Sequence, residues 1–326
     1  MSGCTPYYDT KRWSKLLGFA LKVACEQKKD LQWNSTMAYI DDELIQSLRK
    51  WFHEYVETFC TDQSDIRENI LLKKKHTKRV CGEILRIGRG LGVSGESLRF
   101  AEIIALFHDV GRFEQYVRYR TFVDHKSENH AALSVRTLKD NGVLNRLNDS
   151  IKDLIYRIIS YHNRPLLPDL ETDTCLFYTK LLRDADKLDI WRVMTRYYRC
   201  SDGSSNSAIE LELPDTPEIS DKVYEAVMNK RIIDIHHIQT FNDFKVLQIG
   251  WIFDVNFKPT IDAVISRNYI NDICSVLPAS EKVKMIRKVV NHYVEKEFVE
   301  EECKTSLLEV EQKGVGVTHS KPIPLI

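Results

Sequence analysis

Apolar residues recur along this chain at the period of an α-helix and almost nowhere at the period of a strand. In Ile151-Lys-Asp-Leu154-Ile155-Tyr-Arg-Ile158-Ile159-Ser-Tyr-His162, apolar side chains fall at i, i+3, i+4, i+7 and i+8, which is one buried stripe of a helix. The same pattern predicts helices around 36–59, 71–88, 98–110, 130–140, 174–198, 218–230, 261–275 and 280–299. Alternation of period two is confined to Ser207–Leu213, which Pro214 ends. That stretch is too short for a sheet core. A chain of 326 residues patterned in this way is expected to fold as an all-α bundle with additional C-terminal helices.

Breaks in the pattern suggest how the bundle is divided. Gly88, Gly90, Gly92 and Gly95 fall in one connection, Gly142 in another, and Pro165 and Pro168 in a third. The run Ser201-Asp-Gly-Ser-Ser-Asn-Ser207 reads as a linker, and the glycine- and proline-bearing end reads as a loose tail. The expected organisation is an N-terminal helical extension over 1–60, a central domain over 61–200, a C-terminal helical portion over 201–302 and a flexible tail over 303–326.

Composition narrows the function classes. Hydrophobic residues make up 43% and charged residues 29%, which excludes collagen-like and wholly disordered chains. Basic and acidic side chains balance at 47 each, so there is no strong nucleic-acid signal. No stretch approaches 18 consecutive apolar residues, and no membrane association is expected. The start, Met-Ser-Gly-Cys-Thr-Pro-Tyr-Tyr, lacks the apolar core of a signal peptide. The eight cysteines are scattered without a CxxC pair. They read as reduced thiols of a cytoplasmic protein.

Histidines carry the chemical signal. Five of the ten lie at 76, 108, 125, 130 and 162. Helical spacing puts His76 on a face with Val80 and Ile84, and His108 with Ala101, Ile104 and Ala105. His130 shares a face with Leu133, Thr137 and Leu138, and His162 ends the Ile151–Ile159 stripe. Asp109 follows His108, and Asp186 shares a face with Leu182 and Tyr178. A carboxylate on a core-facing stripe is costly unless it is paired or binds metal. Imidazoles together with carboxylates form the ligand set for Zn, Fe, Mn or Ni. Four histidines and two aspartates suffice for two metals if one carboxylate bridges.

These residues also carry a resemblance. The order His76 … His108-Asp109 … Asp186 is similar to the HD superfamily of metal-dependent phosphohydrolases. Ala105-Leu-Phe-His108-Asp109-Val-Gly-Arg112 resembles the namesake motif, His76-Thr-Lys-Arg-Val80 the first-histidine helix, and Ala185-Asp186-Lys-Leu-Asp189 the final aspartate helix. His130 and His162 match the six-ligand, binuclear subset. Gly111-Arg-Phe-Glu-Gln115 with Asp124-His-Lys-Ser-Glu-Asn-His130 looks like a bacterial group of HD-domain hydrolases. The resemblance spans about 76–190.

The resemblance implies that His76, His108, Asp109 and Asp186 hold a first divalent metal. Asp109 bridges to a second metal held by His130 and His162. His125 competes with His130, which is preferred because it opens a helical stretch. The implied activity is hydrolysis of a phosphomonoester or phosphodiester, a nucleotide being one candidate, by attack of a metal-bound hydroxide. Asp109, Arg112 and Lys187 are then the catalytic candidates, and Arg112, Asn163 and Arg164 the substrate-binding ones. Asp189 is expected to orient a ligand or to form a surface ion pair.

Two other readings compete. A di-iron oxygenase uses the same ligand set, and a non-catalytic regulatory module keeps the bundle alone. A Gly-Tyr-Pro segment, the mark of cyclic-dinucleotide phosphodiesterases of this superfamily, is replaced after His162 by Asn163-Arg-Pro-Leu. Gly88-Arg-Gly-Leu-Gly92 reads as a helix end rather than a dinucleotide loop. Adjacent His236 and His237 would point about 100° apart on a helix. Lys73-Lys-Lys75, just before His76, reads by default as a solvated first turn, with attraction of an anionic substrate as the alternative.

Overall fold

The computed structural model describes residues 40–199, 210–211 and 213–296, and among them there is no strand. Most of the expected N-terminal extension, the linker over 201–207, four of the seven residues of the alternating Ser207–Leu213 segment and the tail over 303–326 lie outside the described residues. The chain divides into two compact units, 1–213 with 255–264, and 214–254 with 265–326.

The first unit contains α1 (Asp42–Glu57), α2 (Ser64–Gly90), α3 (Gly95–Phe107), α4 (Gly111–Tyr119), α5 (His130–Asp140), α6 (Asp149–Tyr161) and α7 (Asp173–Arg199). Its long helices, α2 and α7, pack along each other; α3 lies against α2, α4 against α5, and α6 against both α5 and α7. Asp41, Asn129 and Asn148 cap α1, α5 and α6 with side-chain acceptors at 2.7–2.9 Å. Such a cap stabilises a helix by about 1 kcal/mol. Leu91 caps α2, and Gly92 follows at φ +78°. The Val93 and Gly92 amides return to the Gly88 and Arg89 carbonyls. The glycine run is therefore a helix end that needs a left-handed residue.

The core of this unit is aliphatic and aromatic. Phe100, Phe107, Phe113 and Trp191 are fully buried, and Phe52 of α1 meets Phe107 and Phe113 edge to face. Burying each such side chain is worth roughly 1.5–3 kcal/mol. The return segment 255–264 is fixed to α7 by a fully buried carboxylate. Asp184 accepts from the amides of Asn256 and Phe257 and from the Asn256 side chain at 2.9–3.1 Å.

The second unit holds α8 (Asp221–Met228), α9 (Phe241–Gly250), α11 (Tyr269–Ser275) and α12 (Glu281–Val294). Between α9 and α11 comes α10 (Lys258–Ser266), most of which belongs to the first unit. The helix expected over 261–275 is thus two helices, parted at Asn268, whose φ is +58°. Thr240 and Asp243 form a reciprocal capping box at the start of α9.

Candidate metal centre

Six side chains from five segments of the first unit converge, five of them buried and Asp186 half-buried. His76 comes from the middle of α2 and Asp186 from α7. His108 and Asp109 sit at the junction of α3 and α4, where His108 caps α3. His130 opens α5, and His162 caps α6. Helix ends explain part of this placement. The last carbonyls of a helix lack intrahelical partners. His108 Nδ1 binds the Ala105 carbonyl at 2.8 Å, and His162 Nδ1 binds the Ile159 carbonyl at 2.7 Å. Each bond locks a ring at a helix end with Nε2 directed inward.

The other two rings are held by carboxylates. His76 Nδ1 lies 2.7 Å from Asp189 Oδ2, and Arg79 bonds both oxygens of Asp189 at 2.5 and 2.9 Å. His130 Nδ1 lies 2.7 Å from Asp124 Oδ2, and Arg112 Nη1 bonds Asp124 Oδ1 at 3.0 Å. Two His–Asp–Arg chains thus flank the cluster. A histidine facing a carboxylate or carbonyl through Nδ1 carries its hydrogen there, which leaves Nε2 as a bare acceptor. Burial raises Asp124 and Asp189, yet both lie below the usual carboxylate range. His130, Arg112 and Gln115 favour the charge of Asp124, and His76 and Arg79 that of Asp189.

Asp109 divides the cluster. Its Oδ2 faces His76 Nε2 at 3.5 Å and His108 Nε2 at 3.7 Å. Its Oδ1 faces His130 Nε2 at 3.6 Å and His162 Nε2 at 3.9 Å. Asp186 Oδ1 lies 3.1 Å from His76 Nε2 and 3.8 Å from His108 Nε2. Ligand atoms fall into two groups that could each hold a metal ion, His76–His108–Asp186 and Asp109–His130–His162, with the atoms of each within 4.8 Å of one another.

The donor set fits two cations on physical grounds. His76 Nε2 and His108 Nε2 are buried without a hydrogen-bond partner, a state that costs about 1–3 kcal/mol for each neutral group. His130 Nε2 and His162 Nε2 stand 3.1 Å apart, although both rings carry hydrogen on Nδ1. Two lone pairs face each other there unless a cation lies between them. Burial is the largest cause lowering His130, and it pushes His162 down to about 3 with further repulsion from His130 and His108. These imidazoles are neutral near pH 7, the form that binds metal. Burial also opposes charge on Asp109 and Asp186, yet nearby Lys73, His108 and Arg112 hold the first, and His108 and His76 the second, well below the ordinary range.

The remaining candidates divide clearly. His125 is exposed on the short turn after Val123, whereas His130 is buried in the cluster. Arg112 is turned to internal partners. Its Nη1 bonds Gln115, the Phe122 carbonyl and Asp124 at 2.8, 2.5 and 3.0 Å, and its Nε lies 3.5 Å from Asp109 Oδ1. Asn163 bonds Asp124 at 3.3 Å. Arg164 is exposed and lies over the Tyr161 ring. Lys187 is buried beside Asp184 and favours that carboxylate's charge. Asp189 is buried and fixes His76, so it is no surface ion pair.

Two contributors were not assigned a site role from sequence, and a third was given one only as an alternative. Asp124 orients His130 from a loop, where no periodicity marks it. Gln115, fully buried, ties that loop down through Asp124, Ser127 and the Glu128 carbonyl. Lys73 was read by default as solvated, with attraction of an anionic substrate as the alternative; its ammonium lies 2.9 Å from Asp109 Oδ2. Its spacing of three residues from His76 was the available signal.

Comparison with known proteins agrees with this geometry. Residues 74–191 match the family model of the HD domain. No curated protein and no solved structure matches the chain.

Proposed function

This chain carries an HD domain over residues 74–191, a domain typical of metal-dependent hydrolases, and we propose that it hydrolyses a phosphomonoester or phosphodiester. The observation that carries the reading is Asp109, which presents one carboxylate oxygen to each of two histidine pairs. In this reading His76, His108, Asp109 and Asp186 hold one divalent cation, and Asp109, His130 and His162 hold a second. A pair of such cations supplies Lewis acidity toward phosphoryl oxygens and lowers the pKa of water to near neutrality.

The chain's own residues supply the frame. Asp189 and Asp124 fix the tautomers of His76 and His130, and Arg79 and Arg112 keep those two carboxylates charged. Arg112 therefore acts as an orienting residue, while Asn163 steadies Asp124. Arg164 stays at the exposed side as a candidate contact to the leaving group. Lys187 supports Asp184 and, through it, the course of α7 near Asp186. A small phosphorylated metabolite, nucleotides among the candidates, is the substrate class in this proposal. All six ligand side chains come together, which favours catalysis over a module that keeps only the bundle.

The test is elemental analysis of protein purified without added metal, followed by phosphate release from a panel of esters with Mn, Mg, Fe, Ni or Zn. Chelator-sensitive release is expected. Activity that survives metal removal would overturn the reading. Dioxygen uptake by the reduced iron form without ester hydrolysis would move the assignment to an oxygenase.

A further inference from the structure

Anion recognition at this site needs a cation with donors left over after it has met its protein partners. Arg79 is tied to Asp189. Arg112 spends Nη1 on Gln115, Phe122 and Asp124. Lys73 differs from both. It sits one turn before His76 on the same face of α2, and its ammonium approaches Asp109 Oδ2 at 2.9 Å. Asp109 keeps 5% of its side-chain surface, whereas Lys73 keeps 18%. Lys73 is therefore the more exposed member of the pair. Phe122 lies beneath it, with Nζ 5.2 Å from the ring centroid, and Tyr116 packs on that ring at 4.7 Å. This aromatic floor keeps the lysine stem from collapsing away from the site.

Resting on the phosphohydrolase reading, we propose that Lys73 is the anchor for the substrate's phosphoryl group. Asp109 takes one of its three hydrogens, and a non-bridging phosphoryl oxygen beside Asp109 takes another. A lysine suits this task because a flexible stem lets the ammonium follow the phosphate, whereas a guanidinium fork is fixed by its partners. Its position on the Oδ2 side of Asp109 sets the anion against the His76–His108 half of the cluster. The pocket thereby selects for the charge of a phosphate before it selects for the rest of the substrate.

The test uses Mn-loaded full-length protein with inorganic phosphate as the probe, titrated calorimetrically, with metal content measured on the same samples. Lys73→Met is expected to weaken phosphate binding by about ten-fold or more, the loss of a charge-assisted contact, with metal content unchanged. With p-nitrophenyl phosphate the change should fall mainly on KM, and Lys73→Arg should restore part of the affinity. Lys73→Gln, which keeps a donor for Asp109, repeats the measurement if the methionine variant does not fold. Equal phosphate affinity in wild type and variants would overturn this proposal while leaving the hydrolase reading intact. Loss of phosphate binding together with loss of metal would also overturn it, because Lys73 would then serve only to set Asp109. Wild-type protein that holds metal but neither binds phosphate nor cleaves any ester would overturn both.

Discussion

Replacing Asp109 with asparagine keeps the shape of the side chain and removes its charge from a point that four imidazole nitrogens face within 3.5–3.9 Å. The expected result is loss of metal from both groups and a fall in ester hydrolysis of more than about 10²-fold, the scale set by one lost electrostatic contact in a preorganised site. Metal analysis and phosphate release on the folded variant check it. A smaller effect is expected one layer out. Asp189→Asn and Asp124→Asn should each lower metal affinity by about 10–100-fold, read by competition with a chromophoric chelator. Of the two, Asp124→Asn should act first on the His130–His162 pair. The inward histidines were legible in the sequence because a helix gives each a face shared with aliphatic residues. Asp124 was not legible as a site residue, since its meaning comes from a contact with His130 that local spacing does not encode, and Lys73 was legible only as a cation near His76, not as a partner of Asp109.

At the scale of elements, Gly111 decides how closely α4 approaches α5. A Cβ there would lie 2.6 Å from the Ser134 nitrogen, 2.9 Å from the His130 carbonyl oxygen and 2.9 Å from the Leu133 carbonyl carbon. These are backbone atoms and cannot turn aside. Gly111→Ala must push the first turn of α5 away and carry His130 with it. We expect a destabilisation of about 1–3 kcal/mol, seen in chemical denaturation, with a larger loss of affinity for the second metal than for the first. Asp184 plays the corresponding part on α7. Asp184→Ala leaves the buried amides of Asn256 and Phe257 without their acceptor, at about 1–3 kcal/mol for each donor left unmet. Equilibrium unfolding of this variant should show the loss even in metal-free protein. The elements hardest to foresee have plain causes. In α9 every residue from Phe241 to Gly250 is buried, so no polar face interrupts the stripe and no amphipathic period appears. Helix α4 is short and follows directly on the His108-Asp109 dipeptide, so its pattern merges with that of α3.

For the whole molecule, the proposed ligand set joins positions from His76 to Asp186 and would therefore tie five segments of one unit together. A cation bound by the folded form and not by the unfolded chain stabilises it by about 2.7 kcal/mol when its free concentration is 100 times its Kd. Added Mn should raise the melting temperature of chelator-treated protein, and the gain in hydrogen-exchange protection should concentrate in α2 to α7 rather than in α8 and α9. Protection spread evenly over the chain would contradict a site confined to the first unit. Acid should undo the frame in a definite direction. Asp124 and Asp189 both titrate below their usual range in the folded protein, so each favours folding while it is ionised in both states. That contribution is complete above the ordinary carboxylate value of about 3.9 and is lost as pH falls toward the lower folded values. For metal-free protein, stability from these two groups should stay level through the neutral range and drop below about pH 4. The double variant Asp124→Asn/Asp189→Asn should lose that acid-dependent part, so its denaturation midpoint should change less between pH 5 and pH 3 than that of wild type. A midpoint that moves equally in both proteins would mean that the two carboxylates do not carry the acid sensitivity.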